Sequence, residues 1–228
     1  MPRTTRTALG EMIFHVLNRA NARGVLFDGP ADHSAFERIT RRTVEYVPMR
    51  ILAYCLMPTH WHFVLWPRSD GDLAAFVHRL TTTHVRRRHL YRGSVGAGHI
   101  YQGTFKSFPI EADDHLLTVC RYVERNPVRA GLVAAPTHWP GSSALGRVSP
   151  HTASPGLDLA AWPIPVPPDW DQFVRAPLTA RELDDCRLSL ARDRPFGSST
   201  WQRRTAQQLG LESTLRPRGR PRRRDPAV

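Results

Sequence analysis

Residues 50–66 read RILAYCLM-PT-HWHFVLW, two apolar runs rich in β-branched and aromatic residues on either side of Pro58 and Thr59. Such runs favour strands, and a two-residue separation predicts a tight hairpin. Working outward, residues 11–18 (EMIFHVLN) predict a strand. Residues 31–46 predict a helix, with Phe36, Ile39, Thr40 and Thr43 at helical spacing. On the other side, a helix is expected over 72–90 with Leu73, Phe76, Val77 and Leu80 on one stripe. A glycine-rich loop (Gly93, Gly96, Gly98) and a strand over 105–110 follow. Asp113 or Asp114 is placed to cap the next helix, which Pro127 ends or kinks. The order β, α, β, β, α, β, α predicts an α+β, ferredoxin-like (split βαβ) antiparallel sheet with helices.

This pattern occupies residues 1–145. From 146 to 177 come seven of the twenty prolines, expected to form a surface-wrapping linker without regular structure. Residues 178–215 predict a helical extension of two short helices. Residues 216–228 are an arginine-rich tail with almost nothing to bury, expected to be disordered until it meets a partner.

The 228 residues carry a formal charge of +12, and a pI near 11 favours a polyanionic partner. No stretch approaches the roughly 18 to 20 apolar residues of a membrane span, and no signal peptide is visible. Nucleic acid in the cytoplasm is therefore expected, with no membrane. Cys55, Cys120 and Cys186 stand far apart without CxxC pairing, so they read as reduced thiols. All basic residues but Lys106 are arginine.

Two constellations could carry chemistry. On a strand, His60 and His62 project from the same side, placing two imidazoles within reach of one metal ion. They read equally as surface or satisfied core histidines. On the helix before Pro127, Tyr122 and Asn126 lie one turn apart. The apolar stripe of Leu116, Leu117, Val119, Cys120 and Val123 is centred about 130° from Tyr122, so Tyr122 is expected off the core, or as a half-buried boundary tyrosine. Together they suggest tyrosine attack on a phosphodiester. A phenol with pKa near 10 is a poor nucleophile beside an anionic phosphate, so a divalent cation is needed to polarise that phosphate. Two imidazoles and an amide oxygen suit Mg2+ or Mn2+.

The HxH strand, the YQGTFKSFPI segment at 101–110, the Tyr122–Asn126 pair running into Pro-Val-Arg-Ala-Gly-Leu-Val, and the arginine-rich ending resemble the REP-associated tyrosine transposases. These are relatives of the single-tyrosine insertion-sequence transposases of the HUH (His-hydrophobic-His) class. The resemblance spans most of the chain. It implies a bacterial catalytic domain with His60 and His62 as metal ligands, Asn126 as third ligand and Tyr122 as nucleophile. It also implies a palindromic hairpin substrate flanked by single strand, cleaved to leave a 5′ phosphate on Tyr122 and a free 3′ hydroxyl. Thr59 stands where the family usually shows Asn, and Thr104 where Arg is common in the QGxFKS segment. Arg19 and Lys106 are expected at the DNA, together with Arg216, Arg218, Arg220 and Arg222. Within that tail, Arg218-Gly219-Arg220-Pro221 resembles an AT-hook core. His15, His84 and His99 are left as structural or surface residues. The assembly is a monomer or a homodimer. The alternatives are a non-catalytic single-stranded nucleic-acid-binding module, and a metal-dependent hydrolase in which Tyr122 is only structural.

Overall fold

A computed structural model describes residues 8–96, 98–148 and 156–216. Four strands, β1 (Ile13–Arg19), β2 (Met49–Met57), β3 (His60–Pro67) and β4 (Lys106–Ile110), form one antiparallel sheet in the order β2-β3-β1-β4. The crossover from β1 to β2 leaves room for β3 between them, the split βαβ arrangement that the order of elements predicts. Pro58 and Thr59 make the β2–β3 turn, and their carbonyls accept from the backbone amides of Leu26 (2.6 Å) and Ala20 (2.8 Å). The turn thus holds the chain leaving β1 as well as joining two strands.

Each face of the sheet has its own core. Helices α1 (Pro30–Tyr46) and α2 (Asp72–Tyr91) bury Phe36, Phe76 and Leu80 against Val16, Trp61 and Phe63. Pro30 opens α1, where its missing N–H costs nothing. On the other face α3 (Asp114–Glu124) packs Leu116, Val119, Cys120 and Val123 against Ile13, Val64 and Phe108. Asp113 caps α3, its carboxylate accepting from the His115 amide at 2.9 Å. The helix stops one residue before a further turn, α4 (Asn126–Arg129), that begins at Asn126 and Pro127.

The remaining elements are α5 (Ser143–Val148), α6 (Trp170–Arg175), α7 (Ala180–Arg192), α8 (Ser199–Leu209) and α9 (Glu212–Leu215), so the extension carries one more short helix than expected. The proline-rich stretch also departs from the expected linker. Its part from residue 156 on contains α6, buries Leu157 and Trp170, and meets edge strand β2, where Ala160 donates its amide to Ile51 O at 2.9 Å. A bulge between Ile51 and Ala53 frees the Leu52 carbonyl, which accepts from Trp162 Nε1 at 3.1 Å and from Arg147. Near the other end of β2, Leu56 donates to Gly141 O at 2.7 Å. On the opposite edge, Phe196 donates to Pro109 O and its carbonyl accepts from Glu111, both at 2.9 Å. Proline rules out a regular ladder but not single edge contacts of this kind.

The fully buried Glu124 carboxylate ties this wrapping to α3. It accepts from Ser143 Oγ (2.5 Å), Arg147 Nε (3.0 Å) and Trp170 Nε1 (2.7 Å). Removing one partner of a buried ion pair strands the other without compensation. Glu124→Ala is therefore expected to lower the unfolding free energy by about 3 to 5 kcal/mol. Trp170→Phe, losing one donor to a carboxylate that keeps two others, should cost about 1.5 to 3 kcal/mol. Chemical denaturation of both variants checks the order, and equal losses would overturn the role of Glu124 as the common anchor.

Candidate active site

Alternation along β3 turns Trp61 into the α1–α2 core and sends His60 and His62 to the α3 face. In the β1–β3 register Arg19 stands opposite His60 and Leu17 opposite His62. His15, two residues along β1 from Leu17, shares that face. Its Nε2 and His62 Nδ1 share a hydrogen bond of 2.8 Å. His60 Nδ1 meets Thr59 Oγ1 at 3.1 Å. Both Nδ1 atoms of the HxH pair are thus engaged, leaving each ring its Nε2. Fixing one ring nitrogen so that the other is presented is how protein shells orient histidine ligands. The His60 and His62 ring centroids are 5.0 Å apart.

These rings are held neutral. Burial drags His15 down to about 3, with the Arg129 charge adding to the effect. Burial, then Arg19 and Arg129, lowers His60 to about 4. Burial first, then its two neighbouring imidazoles, places His62 well below the usual histidine range. At neutral pH each keeps a lone pair for a metal, the form in which imidazole ligates. Buried His15 Nδ1 has no hydrogen-bond partner among the described residues.

Helix α3 brings Tyr122 to this group. Its ring stands edge-on to His62 (6.0 Å between centroids) and to His15 (6.2 Å). Tyr122 is 7 % exposed, not off the core as helical geometry alone predicts. The cover comes from outside α3: Arg129 lies 4.1 Å over the ring, and α7 contributes Cys186 to the same buried cluster. An Arg121–Glu182 ion pair of 2.5 Å holds α7 against α3. Burial raises the Tyr122 phenol, an effect that the Arg129 charge opposes.

Asn126 sits one turn from Tyr122, and its amide oxygen is engaged by Arg129. Oδ1 accepts from Arg129 Nη2 at 2.7 Å, and Nδ2 donates to the carbonyls of Val123 (3.1 Å) and Tyr122 (3.3 Å). Arg129 also donates to Tyr122 O at 2.8 Å. His15 and Arg129 are thus the site residues that sequence reasoning missed. Their signals were a histidine among apolar residues in β1, and an arginine three and seven residues after Asn126 and Tyr122 on a helical path.

Arg19 is exposed beside Thr59 and Gln102 in a cleft of about 440 Å³ at the His60 end of the sheet. Lys106, also exposed, donates to Leu190 O of α7 at 3.4 Å. Arg216 is exposed at the limit of the described chain, and Arg218, Arg220, Arg222 and the hook-like tetrapeptide lie outside the described residues. His84 is buried, with Nδ1 2.6 Å from Tyr101 Oη, while His99 is exposed. A second cluster, Glu111, Asp113 and His115, brings its ligand atoms within 4.8 Å of one another. Two of its carboxylates already serve the start of α3 and the Ser198 amide.

Residues 8–126 match the family model described as transposase, IS200 like. A protein of Haemophilus influenzae described as a REP-associated tyrosine transposase is 29% identical over 120 residues. That alignment covers 47% of this chain and 66% of the relative, just under two thirds of its length. A solved REP-associated tyrosine transposase bound to a REP hairpin superposes with a TM-score of 0.55 at 20% identity, covering 71% of this chain and all of that one, a likeness in fold.

The lowered histidines have a thermodynamic consequence. Unfolded imidazoles titrate near 6.5, whereas His15 and His60 refuse protons until about 3 and 4. Below pH 6.5 the unfolded chain therefore binds more protons, and stability falls as pH falls. The Tm should drop steadily from pH 7 to 5, and His15→Phe should flatten that slope. A Tm independent of pH across this range would show that the buried imidazoles are not held neutral.

Proposed function

The chain belongs to the IS200-like transposase family, and on that premise we propose that it is a metal-dependent endonuclease and strand transferase acting on single-stranded or hairpin DNA. The observation that carries this reading is the placing of a phenol edge-on to an imidazole of the HxH pair, on one face of the sheet. Tyr122 is the nucleophile: its phenolic oxygen forms a bond to phosphorus, and the 3′ oxygen leaves and takes up a proton. A 5′ phosphotyrosine and a free 3′ hydroxyl result. One ester replaces another, so rejoining needs no nucleotide energy. Arg129, already over the ring, favours the phenolate as it forms.

His60 and His62 would hold Mg2+ or Mn2+ through their Nε2 atoms, with His15 fixing the orientation of His62. Asn126, whose amide oxygen now accepts from Arg129, would be the third ligand. When bound, the ion polarises the scissile phosphate. Arg19 and Lys106 meet backbone phosphates on the same face, and Arg216, Arg218, Arg220 and Arg222 grip the hairpin stem. The relative named above carries a REP hairpin, and we take a palindromic hairpin as the partner here. No helix among the described residues is long and apolar enough to cross a membrane, and we place the protein in the cytoplasm.

The burial of Tyr122 favours a second reading, a non-catalytic nucleic-acid-binding module. Tyr122→Phe keeps the ring and deletes the nucleophile. Wild type incubated with a labelled hairpin oligonucleotide and Mn2+ should leave a denaturant-resistant protein–DNA adduct, and the variant none. An adduct in the variant would remove Tyr122 from its role, and cut DNA with no adduct in wild type would assign the attack to water. His60→Ala, His62→Ala or a chelator should abolish cleavage with hairpin binding largely kept, because the metal acts at the cut and not on the stem. Mn2+ should also raise the Tm of wild type and not of either variant. Full cleavage in excess chelator would overturn the metal assignment.

A further inference from the structure

On the far side of the sheet from the histidines, α1 and α2 leave a groove of about 1000 Å³ between them. Its walls carry Arg42 from α1 and Arg79, Arg86 and Arg87 from α2, against a single carboxylate, Glu45. Arg38 and Arg41 extend the track along α1 in an adjoining cleft, while Asp32 lines a further cleft that Arg38 and Arg87 share. Among the described residues none of these six arginines forms a salt bridge. Arg92, just beyond Tyr91 on the same helix, is by contrast matched with Asp28 and Asp32. The four groove arginines thus face one carboxylate.

The groove also shows aromatic and apolar side chains to solvent. Tyr46 is 66 % exposed and Tyr91 78 %, with Leu90 beside Tyr91. The guanidinium of Arg79 lies 3.6 Å over the Tyr46 ring. The α2 residues of the groove, from Arg79 through Thr83, Arg86 and Arg87 to Leu90 and Tyr91, repeat at helical spacing, so they form one stripe along the helix. Packing explains neither half of this stripe, since the core side of α2 is filled by Leu73, Phe76, Val77 and Leu80.

Cations flanked by exposed flat rings suit a strand that offers phosphates and unpaired bases together. A duplex would engage the arginines but would leave Tyr46 and Tyr91 without base faces to meet. We propose that the α1–α2 groove is a second DNA site, remote from Tyr122, that holds a single strand with its phosphates on Arg42, Arg86 and Arg87 and its bases on Tyr46 and Tyr91. The inference goes beyond the cleavage reading and rests on it only for the choice of DNA as polyanion. Such a site would keep hold of a strand whose other part lies at the histidines.

The test uses the full chain and a fluorescein-labelled thymidine 20-mer carrying 5-iododeoxyuridine. The Arg42→Gln, Arg86→Gln, Arg87→Gln triple variant should bind at least about tenfold more weakly, with a log–log salt slope shallower by about 2, the share of three single-strand phosphates. Its Tm should match wild type, because the three side chains are exposed and outside the salt bridges. Irradiation of wild type should crosslink the 20-mer to peptides containing Tyr46 or Tyr91. Unchanged affinity and slope, or crosslinks confined to the histidine face, would overturn the groove site. If wild type forms the Tyr122 adduct while the triple variant binds as it does, the groove inference alone falls. If wild type binds neither the 20-mer nor a hairpin, the groove and the cleavage reading fall together.

Discussion

The pleat of β3 constrains both halves of this molecule. With a side-chain period of two, one strand commits Trp61, Phe63 and Leu65 to one core and His60, His62 and Val64 to the other face. A slip of one residue would bury the imidazoles under α1 and expose an indole beside Tyr122. The register is fixed from both sides, by pairing with β1 and β2 and by the Pro58–Thr59 turn, whose carbonyls hold the Ala20 and Leu26 amides. The spacing of the two histidines is thus a by-product of packing a tryptophan between them.

Around that strand the electrostatics are spare. Three imidazoles lose their charge to burial, and Arg129, itself pulled down by burial, remains the cation in contact with Tyr122. Arg129 joins the parts: it covers the phenol, occupies the Asn126 oxygen and depresses both His15 and His60.

The local pattern of the sequence carried the hairpin, the succession of elements, the shared face of the HxH pair and a cap at Asp113 or Asp114, because each depends on near neighbours in the chain. What it could not carry came from distant segments. Tyr122 looked peripheral on α3 because part of its cover, Cys186, lies some sixty positions away on α7. Helical spacing placed Asn126 beside Tyr122 but could not show that Arg129 would claim its oxygen. His15 passed as a structural histidine, and buried it is, yet its hydrogen bond orients His62. The proline-rich stretch has no periodicity to read, because its order comes from β2 and from Glu124 rather than from itself.

Both margins of the sheet are closed by late parts of the chain, Gly141, Ala160 and Trp162 along β2 and Phe196 along β4. During synthesis from the N-terminus, the four strands are complete once Ile110 has emerged, but neither border has its cover. For the time needed to make some ninety further residues, the nascent protein presents two bare strand margins, the kind of surface that recruits stray β-structure. The sheet becomes safe from other chains only as its last segments arrive, and a polypeptide stalled before Phe196 would stay adhesive at the β4 border however well its core had formed.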